Sequence, residues 1–320
     1  MAHILIIGAG VIGLQTANDL LDAGYKVTIL AKHWPGDETI EYTSPCNDPE
    51  NDPSSPRMWY SNLVQDFVLL PPAELPPNGP KSGHSYTSIV IDPSKYLTYL
   101  LNRAKSLRAQ TITAELPTSN SFSNAITAAF GHLSSNDAPP SLVINCTGLG
   151  ALKLCDPNMY PIRGQTLLVR ITPAPPTSRI TIYDSTPVTY IVPRQLTTFS
   201  SNPSTATYFI GGTNDADNWD PEPTPEITEG ILERVKAVLH GWASDDAQIE
   251  ILREQVGLRP GRRGGPRIAG EIEDFDVAVG GSEATRKVKV VHQYGHAGAG
   301  FQCSIGSGRK TLAIVKDILG

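Results

Sequence analysis

Ile4-Leu-Ile-Ile-Gly-Ala-Gly-Val-Ile-Gly13 is the stretch of sequence that decides the fold. The apolar run 4–7 predicts a buried parallel strand, and three glycines spaced G-x-G-x-x-G predict a tight turn that opens a helix. That helix is expected over residues 11–23, ended by Gly24, with a second strand over residues 26–30. This βαβ order predicts a dinucleotide site with the helix N-terminus facing the phosphates.

The glycine turn assigns a role to each of its glycines. Gly8 makes the tight turn, Gly10 leaves room for the pyrophosphate to meet the backbone, and Gly13 lets the helix and strand pack closely. The acidic residue that usually binds the ribose is missing, because the second strand ends Leu30-Ala-Lys-His33. This absence weakens an NAD interpretation. Lys32 either faces a phosphate or ribose or is a solvated lysine, and both interpretations stay open.

Composition excludes several other classes of protein. The chain has 320 residues and a net charge of −6, which gives no electrostatic footprint for nucleic acid or an anionic membrane. It has no apolar run of about 18 residues, so no membrane span is expected. The four cysteines show no C-x-x-C spacing, which favours isolated thiols over a disulfide or zinc framework, and no metal site is predicted.

The remaining pattern predicts two interleaved domains. Strands are expected over residues 141–145 and 287–292, and helices over 92–107, 226–241 and 307–319, with a weak helical signal over 61–69. Four β-rich stretches predict a mostly antiparallel sheet, over residues 166–170, 179–183, 190–193 and 208–211. We therefore expect an α/β fold with a nucleotide domain built from residues 1–45, 90–165 and 250–320. Residues 46–89 and 166–249 are expected to form a substrate domain.

Two further segments carry candidate chemistry. The stretch 290–300 is a strand followed by small residues and a helix start, so a flat ligand could approach closely and meet N–H donors. Any strand–glycine–helix junction would look similar. Arg259, in Gly257-Leu-Arg-Pro260, could clamp a carboxylate with two parallel hydrogen bonds. On residue chemistry alone, a surface arginine is the favoured interpretation.

Taken together, these segments resemble the D-amino-acid oxidase family, whose fold is a glutathione-reductase-like, FAD-binding Rossmann-like domain with an interleaved β-sheet substrate domain. The likeness covers both ends of the chain and most of the middle. Seven blocks carry it in order: Gly8-Ala-Gly-Val-Ile-Gly13, Val143-Ile-Asn-Cys-Thr-Gly148, Pro161-Ile-Arg-Gly-Gln165, Tyr190-Ile-Val-Pro-Arg194, Gly211-Gly-Thr213, Gly257-Leu-Arg-Pro260 and His292-Gln-Tyr-Gly295.

The resemblance implies a flavoprotein that converts D-amino acids and O2 to 2-oxo acids, ammonia and hydrogen peroxide by hydride transfer to FAD. Arg259 matches the carboxylate-binding arginine, and Tyr190 matches a tyrosine that helps to hold the same carboxylate. Gly298 and Gln302 match positions that meet the substrate amino group or the flavin through main-chain atoms. The remaining FAD contacts implied are Gly8, Ala9, Gly10, Val11, Ile12, Gly13, Lys32, Thr43, Ser44, Ala297, Ala299, Gly300 and Phe301.

The chain departs from the family pattern at several positions. Gln293 differs from the usual second residue of the H-x-Y-G block, and Gly308 stands where alanine is usual. Asn214 stands where some relatives have a pocket tyrosine and D-aspartate oxidases often have arginine, which favours neutral substrates. After Pro45 a few tens of residues that cover part of the flavin ring are missing.

These departures leave two alternatives to an oxidase of neutral D-amino acids. One is a D-aspartate oxidase, and the other is a non-catalytic relative that lacks part of the flavin site. A nicotinamide dehydrogenase is least favoured. The family implies a peroxisomal location, although the chain stops at Ile318-Leu-Gly320 without a peroxisomal signal and is otherwise expected in the cytoplasm. A homodimer is possible.

Overall fold

The computed structural model describes residues 2–40, 42, 60–75, 82–118, 121–134, 138–175, 180–183, 187–194, 206–239, 247–278 and 285–320. The chain divides into two compact units. Unit 1 comprises Met1–Glu50, Pro93–Ile162 and Leu258–Gly320, and unit 2 comprises Asn51–Asp92 and Arg163–Gly257. The assignment of the first to nucleotide and the second to substrate stays a prediction.

The described residues form fourteen strands and six α-helices. The strands are β1 His3–Ile7, β2 Lys26–Ala31, β3 Gln65–Leu69, β4 His84–Thr87, β5 Gln110–Thr113, β6 Leu142–Asn145, β7 Met159–Thr172, β8 Thr181–Tyr183, β9 Thr189–Arg194, β10 Ala206–Gly211, β11 Asp215–Ala216, β12 Gln248–Arg262, β13 Arg267–Ala278 and β14 Thr285–Tyr294. The helices are α1 Val11–Asp22, α2 Pro93–Ser106, α3 Phe122–Gly131, α4 Ala151–Leu154, α5 Pro225–Leu239 and α6 Gly300–Leu319.

Unit 1 is built around a six-stranded sheet in the order β13-β14-β6-β1-β2-β5. The strands from β14 to β5 are parallel, and β13 pairs antiparallel with β14 at the edge. Every side chain of β1 and β6 is buried, as expected for strands covered on both faces. One face packs on α3 through Leu5, Val143 and Val290. The opposite face meets α1, so the predicted βαβ opening is confirmed.

Unit 2 contains an antiparallel sheet in the order β11-β7-β10-β9-β8, with β12 paired to β7. The amphipathic helix α5 covers one face, where Ile231 and Val235 meet Leu167, Ile191 and Ile210. Strands β3 and β4 form a separate two-stranded sheet. The predicted combination of a parallel sheet and a separate antiparallel sheet is therefore confirmed.

Two local predictions were wrong. The helical signal over 61–69 is overridden, because Phe67, Val68 and Leu69 are good strand formers and lie on β3, paired with β4. The last helix begins at Gly300 rather than residue 307. Its glycines counted against a helix, but tertiary packing of Phe301 and Ser304 in the first turns overrides this weak propensity.

The crossing of α6 with α1 explains why position 308 is glycine. A Cβ atom on Gly308 would lie 2.2 Å from Asp19 Oδ2. The other carboxylate oxygen of Asp19 accepts a hydrogen bond from Gln15 Nε2 at 3.0 Å. Burial raises the pKa of Asp19 above its usual value. Asp19 on the facing helix therefore occupies the space that an alanine side chain at position 308 would need.

We expect Gly308→Ala to stabilise the protein only when Asp19 is also replaced by alanine. Alanine is favoured over glycine in a helix by about 0.5–1 kcal/mol, and the clash with Oδ2 offsets this gain in the wild-type background. Urea unfolding of the wild type, both single variants and the double variant measures the effect. Gly306→Ala is the matched control, since its Cβ meets nothing within 4 Å. An identical effect of Gly308→Ala in both backgrounds would contradict the coupling.

Candidate dinucleotide and substrate sites

The glycine turn after β1 has no room for side chains at two positions. Gly8 has φ +115°, and a Cβ there would lie 2.3 Å from the carbonyl oxygen of Cys146. A Cβ on Gly13 would lie 2.1 Å from the carbonyl oxygen of Gly8. Backbone atoms cannot give way as a flexible side chain can, so both positions require glycine. These contacts match the sequence-based roles of a tight turn and a close helix–strand approach.

Helix α1 begins at this turn, and its N-cap residue makes no side-chain hydrogen bond to the helix. Its N-cap residue, Gly10, is extended and has no side chain that could accept a hydrogen bond from the helix. The dipole of the helix favours an anion at this end. The loop that follows β2 returns to the turn, because the buried hydroxyl of Tyr42 donates a 2.8 Å hydrogen bond to the carbonyl oxygen of Ala9.

The small-residue turn after β14 lies beside the start of α1. Ala297 has φ +48°, and Ala297–Ala299 form a single 3-10 turn that leads into α6. Helix α6 also lacks a side-chain cap at its N-terminus. A Cβ on Gly300 would lie 3.8 Å from Val11 Cγ1, so the first residues of the two helices are neighbours. The structure thus brings together the two turns identified at opposite ends of the sequence.

Other predicted contacts of this turn differ in exposure. Gly298 and Ala299 are partly exposed, and Gln302 is exposed in the first turn of α6. Phe301 is buried, with its ring centroid 6.4 Å from that of Tyr96. The turn therefore offers main-chain atoms to a ligand, while its aromatic side chain packs inward.

The histidine and tyrosine of the H-x-Y-G block support the turn from within the core. His292 Nδ1 lies 3.1 Å from Asn145 Nδ2, which links β14 to β6. The Tyr294 hydroxyl donates to Asp156 Oδ2 at 3.2 Å and accepts from Arg267 Nη1 at 3.1 Å. Both side chains are at most 2% exposed. Their hydrogen bonds hold the end of β14, and the turn begins from there.

Arg259 is buried in unit 1, with 4% of its surface exposed. The segment around it lies beside the loop after β6 and beside the residue that precedes the small-residue turn. Pro260 Cβ lies 3.9 Å from the Cβ position of Gly148, and Gly261 forms a bridge with His296. The expectation of a surface arginine from residue chemistry is therefore wrong. By contrast, Arg263 is exposed, with its guanidinium 4.7 Å from the centre of the Tyr160 ring.

Tyr190 lies in unit 2 and is 1% exposed. Its ring and hydroxyl occupy the space where Gly211 and Gly212 lack side chains, since a Cβ on either would lie within 3 Å of the Tyr190 hydroxyl oxygen. The two glycines therefore fix the position of the tyrosine. Asn214, three residues after Gly211, is exposed.

The remaining predicted contacts follow β2. Lys32 Nζ forms an ion pair with Glu115 Oε1 at 2.9 Å, and both side chains are largely exposed. Such a pair contributes only about 0–1 kcal/mol, so it leaves the lysine available to a phosphate at little cost. Thr43 and Ser44 lie outside the described residues, and their role as pyrophosphate contacts stays a prediction.

Sequence reasoning assigned no role to the side chain of His296, which links the turn to α6. Its Nε2 lies 3.0 Å from the hydroxyl oxygen of Ser307. Burial lowers the pKa of His296 to about 4, so the ring is neutral at neutral pH. No local pattern marks this histidine, because Ser307 meets it only when α6 has formed.

The glycine cradle, the two uncapped helix starts and the buried arginine define a dinucleotide-binding unit of the type found in flavoproteins. The family model described as DAO, FAD dependent oxidoreductase, matches residues 3–44 and 52–313. The chain belongs to this family, whose cofactor is FAD. The first turn fits such a ligand, because its glycines allow helix α1 to begin close to β1 with its N-terminus at the turn.

Curated relatives match nearly the full chain. A D-amino-acid oxidase of Schizosaccharomyces pombe is 31% identical, with 95% of this chain and 93% of the relative covered. One from Fusarium vanettenii is 28% identical, with 98% of this chain and 97% of the relative covered. That alignment spans 377 positions, more than the 320 residues of this chain, so the relative carries residues that this chain lacks.

Solved structures show the same fold. The glycine oxidase of Bacillus cereus superposes with a TM-score of 0.66 at 16% identity, covering 99% of this chain and 98% of that protein. The glycine oxidase of Geobacillus kaustophilus also gives 0.66, at 17% identity, with 99% and 95% covered. Within the described residues, no helix is long and apolar enough to cross a membrane, and no cluster of acidic, histidine or cysteine side chains is placed to hold a metal.

We expect His296 to make the folded state sensitive to mild acid. Its pKa is lower in the folded protein than the usual 6.5, so the unfolded chain binds more protons between about pH 6.5 and 4. The free energy of unfolding should therefore fall as pH drops through this window, by on the order of 3 kcal/mol from this residue.

Urea unfolding at pH 6.5 and pH 4.5 measures this dependence. His296→Gln should lose much less stability between the two pH values than the wild type does. The exposed His132 is the control site, and His132→Gln should behave like the wild type. Equal pH dependence in the wild type and His296→Gln would rule out this source of acid sensitivity.

Proposed function

We propose that the protein is an FAD-dependent D-amino-acid oxidase acting on neutral D-amino acids. The observation that carries the proposal is the buried Arg259, which lies in unit 1, two residues before Gly261, the partner of His296 in a β-bridge. A permanent cation is costly to bury, and such a residue is retained where an anionic partner repays the cost. The two relatives described above, which carry the name D-amino-acid oxidase, support the same activity.

In this proposal the side chains orient the substrate. The planar guanidinium of Arg259 binds the α-carboxylate through two parallel hydrogen bonds. Orientation of this kind converts a bimolecular encounter into a favourable near-attack geometry. Bound FAD would supply the acceptor for the α-hydrogen of the substrate as hydride, so the site would need no strong side-chain base.

The overall reaction consumes a D-amino acid, O2 and water. The substrate loses two electrons and becomes an imino acid, water then releases ammonia and a 2-oxo acid, and O2 is reduced to hydrogen peroxide. The main-chain groups of Gly298 and Gln302 are proposed to meet the amino group or the flavin. Among the described residues, this site shows no acid–base pair, in agreement with chemistry that depends on orientation.

The preference for neutral substrates rests on Asn214. An asparagine amide forms hydrogen bonds but carries no charge, so it provides no ion pair for a second carboxylate. A D-aspartate oxidase would gain from a cation at this position. The family match is interrupted between residues 44 and 52, and this interruption favours the other alternative, a non-catalytic relative with an incomplete flavin site.

We expect the purified protein to be yellow and to produce hydrogen peroxide faster with D-alanine or D-valine than with D-aspartate. An absorbance spectrum and a coupled peroxidase assay with each substrate make the comparison, with the L-amino acids as controls. A higher rate with D-aspartate would identify a D-aspartate oxidase. A colourless protein that binds ADP but produces no peroxide would identify the non-catalytic relative.

We expect Arg259→Ala to raise KM for D-alanine steeply while FAD stays bound. Loss of one partner of a buried charge pair typically costs about 2–5 kcal/mol, which corresponds to roughly 30-fold or more in KM. Steady-state kinetics and the flavin spectrum of the same preparation provide the two measurements.

Arg263→Ala is the matched control, because it removes the same cation from an exposed position four residues later. Arg259→Lys should give an intermediate KM, since it keeps the charge but loses the planar fork. An unchanged KM in Arg259→Ala would exclude a carboxylate clamp at this position.

A further inference from the structure

Gln293, which departs from the family pattern, is buried at a junction of three segments of unit 1. Its side chain is 0% exposed. Its Oε1 atom accepts a hydrogen bond from Thr16 Oγ1 at 2.9 Å and lies 3.7 Å from the thiol sulfur of Cys146. Strand β14 places it on the face opposite His292, since neighbouring side chains of a strand alternate. One amide oxygen therefore joins β14, α1 and the loop after β6.

Each of these three segments leads directly into a nucleotide turn. Thr16 lies in the second turn of the helix that begins at Val11. Cys146 faces the glycine turn, with its carbonyl oxygen against Gly8 and its Cβ atom 3.3 Å from the Cβ position of Gly13. Gln293 itself is four residues before Ala297. A shift of the amide would therefore change the spacing between the two turns.

The hydrogen-bonding pattern of Gln293 is better explained by positioning than by stability alone. The Oε1 atom has two lone pairs, and one donor faces each of them. The Nε2 group is buried with no hydrogen-bond partner among the described residues, which destabilises the folded state. An apolar side chain at position 293 would avoid the cost of burying this unpaired Nε2 group. Local conflicts of this kind are expected where function constrains the sequence.

We propose that Gln293 is a positioning residue that sets the spacing between the glycine turn at Gly8–Gly13 and the small-residue turn at 297–300. The inference rests on the proposed function, in which FAD contacts both turns and its ADP portion contacts only the first. Loss of the Gln293 contacts therefore weakens FAD binding while ADP binding is retained. This effect is separate from substrate binding by Arg259.

The test compares two chemically identical substitutions. Thr16→Val removes the hydroxyl that donates to Gln293 Oε1. Thr28→Val removes a buried hydroxyl on β2 in the same unit, which donates to Gln110 Oε1 at the same distance, 2.9 Å, and lies 2.8 Å from His3 Nε2. For each variant, the Kd of FAD is measured by flavin fluorescence on dilution of the holoenzyme, the Kd of ADP by calorimetry and stability by urea unfolding.

We expect Thr16→Val and Gln293→Leu each to raise the Kd of FAD about tenfold and the Kd of ADP less than twofold. Thr28→Val should leave both unchanged. The double variant Thr16→Val/Gln293→Leu should bind FAD no more weakly than Gln293→Leu alone, because both changes remove one contact. Thr16→Ser keeps the hydroxyl donor and should bind FAD like the wild type. This control shows whether position 16 tolerates substitution when the hydrogen bond is kept.

Three other results would contradict the proposal. Equal effects of Thr16→Val and Thr28→Val on the Kd of FAD would show that Gln293 has only a structural role, and they would overturn the proposal. Parallel losses of ADP and FAD affinity would overturn it as well, since the spacing between turns does not affect ADP. A wild-type protein that binds ADP but no FAD would overturn both this proposal and the proposed oxidase activity.

Discussion

The nucleotide-binding unit depends on a close approach of backbone to backbone. The carbonyl oxygen of Cys146 occupies the space that a side chain on Gly8 would need, and the carbonyl oxygen of Gly8 does the same for Gly13. These contacts allow β1, β6 and the start of α1 to approach one another closely. Phosphate recognition then requires no charged side chain, because the peptide groups and helix dipole supply the field.

Strand β14 extends this arrangement to the second turn by using its two faces differently. His292 and Tyr294 bind polar partners on β6 and in the 155–158 segment, whereas Gln293 faces α1. Buried polar groups of this kind are directional, so they hold the end of the strand more specifically than apolar packing would. The result is that Gly300 lies beside Val11, although almost 300 residues separate the two in sequence.

Unit 2 follows a different principle. Its antiparallel sheet gives one face to α5 and leaves the alternate residues, among them Tyr190, on the other. A tyrosine on a strand is held by its neighbours across the sheet, and here the missing side chains of Gly211 and Gly212 provide the space. In both units, therefore, glycines position the functional groups by leaving room for them.

The sequence by itself determined the elements whose signals are local. The apolar run of β1, the glycine spacing, the ends of α1 and the alternation of β9 and β10 all depend on neighbours in the chain. Tertiary structure decided the rest. Strands β12 and β13 were not predicted, and the first turns of α6 were missed. The burial of Arg259 depends on tertiary packing, and so does the lack of space for a side chain at position 308, beside Asp19. Burial and polar pairing arise between residues far apart in sequence, which no local periodicity records.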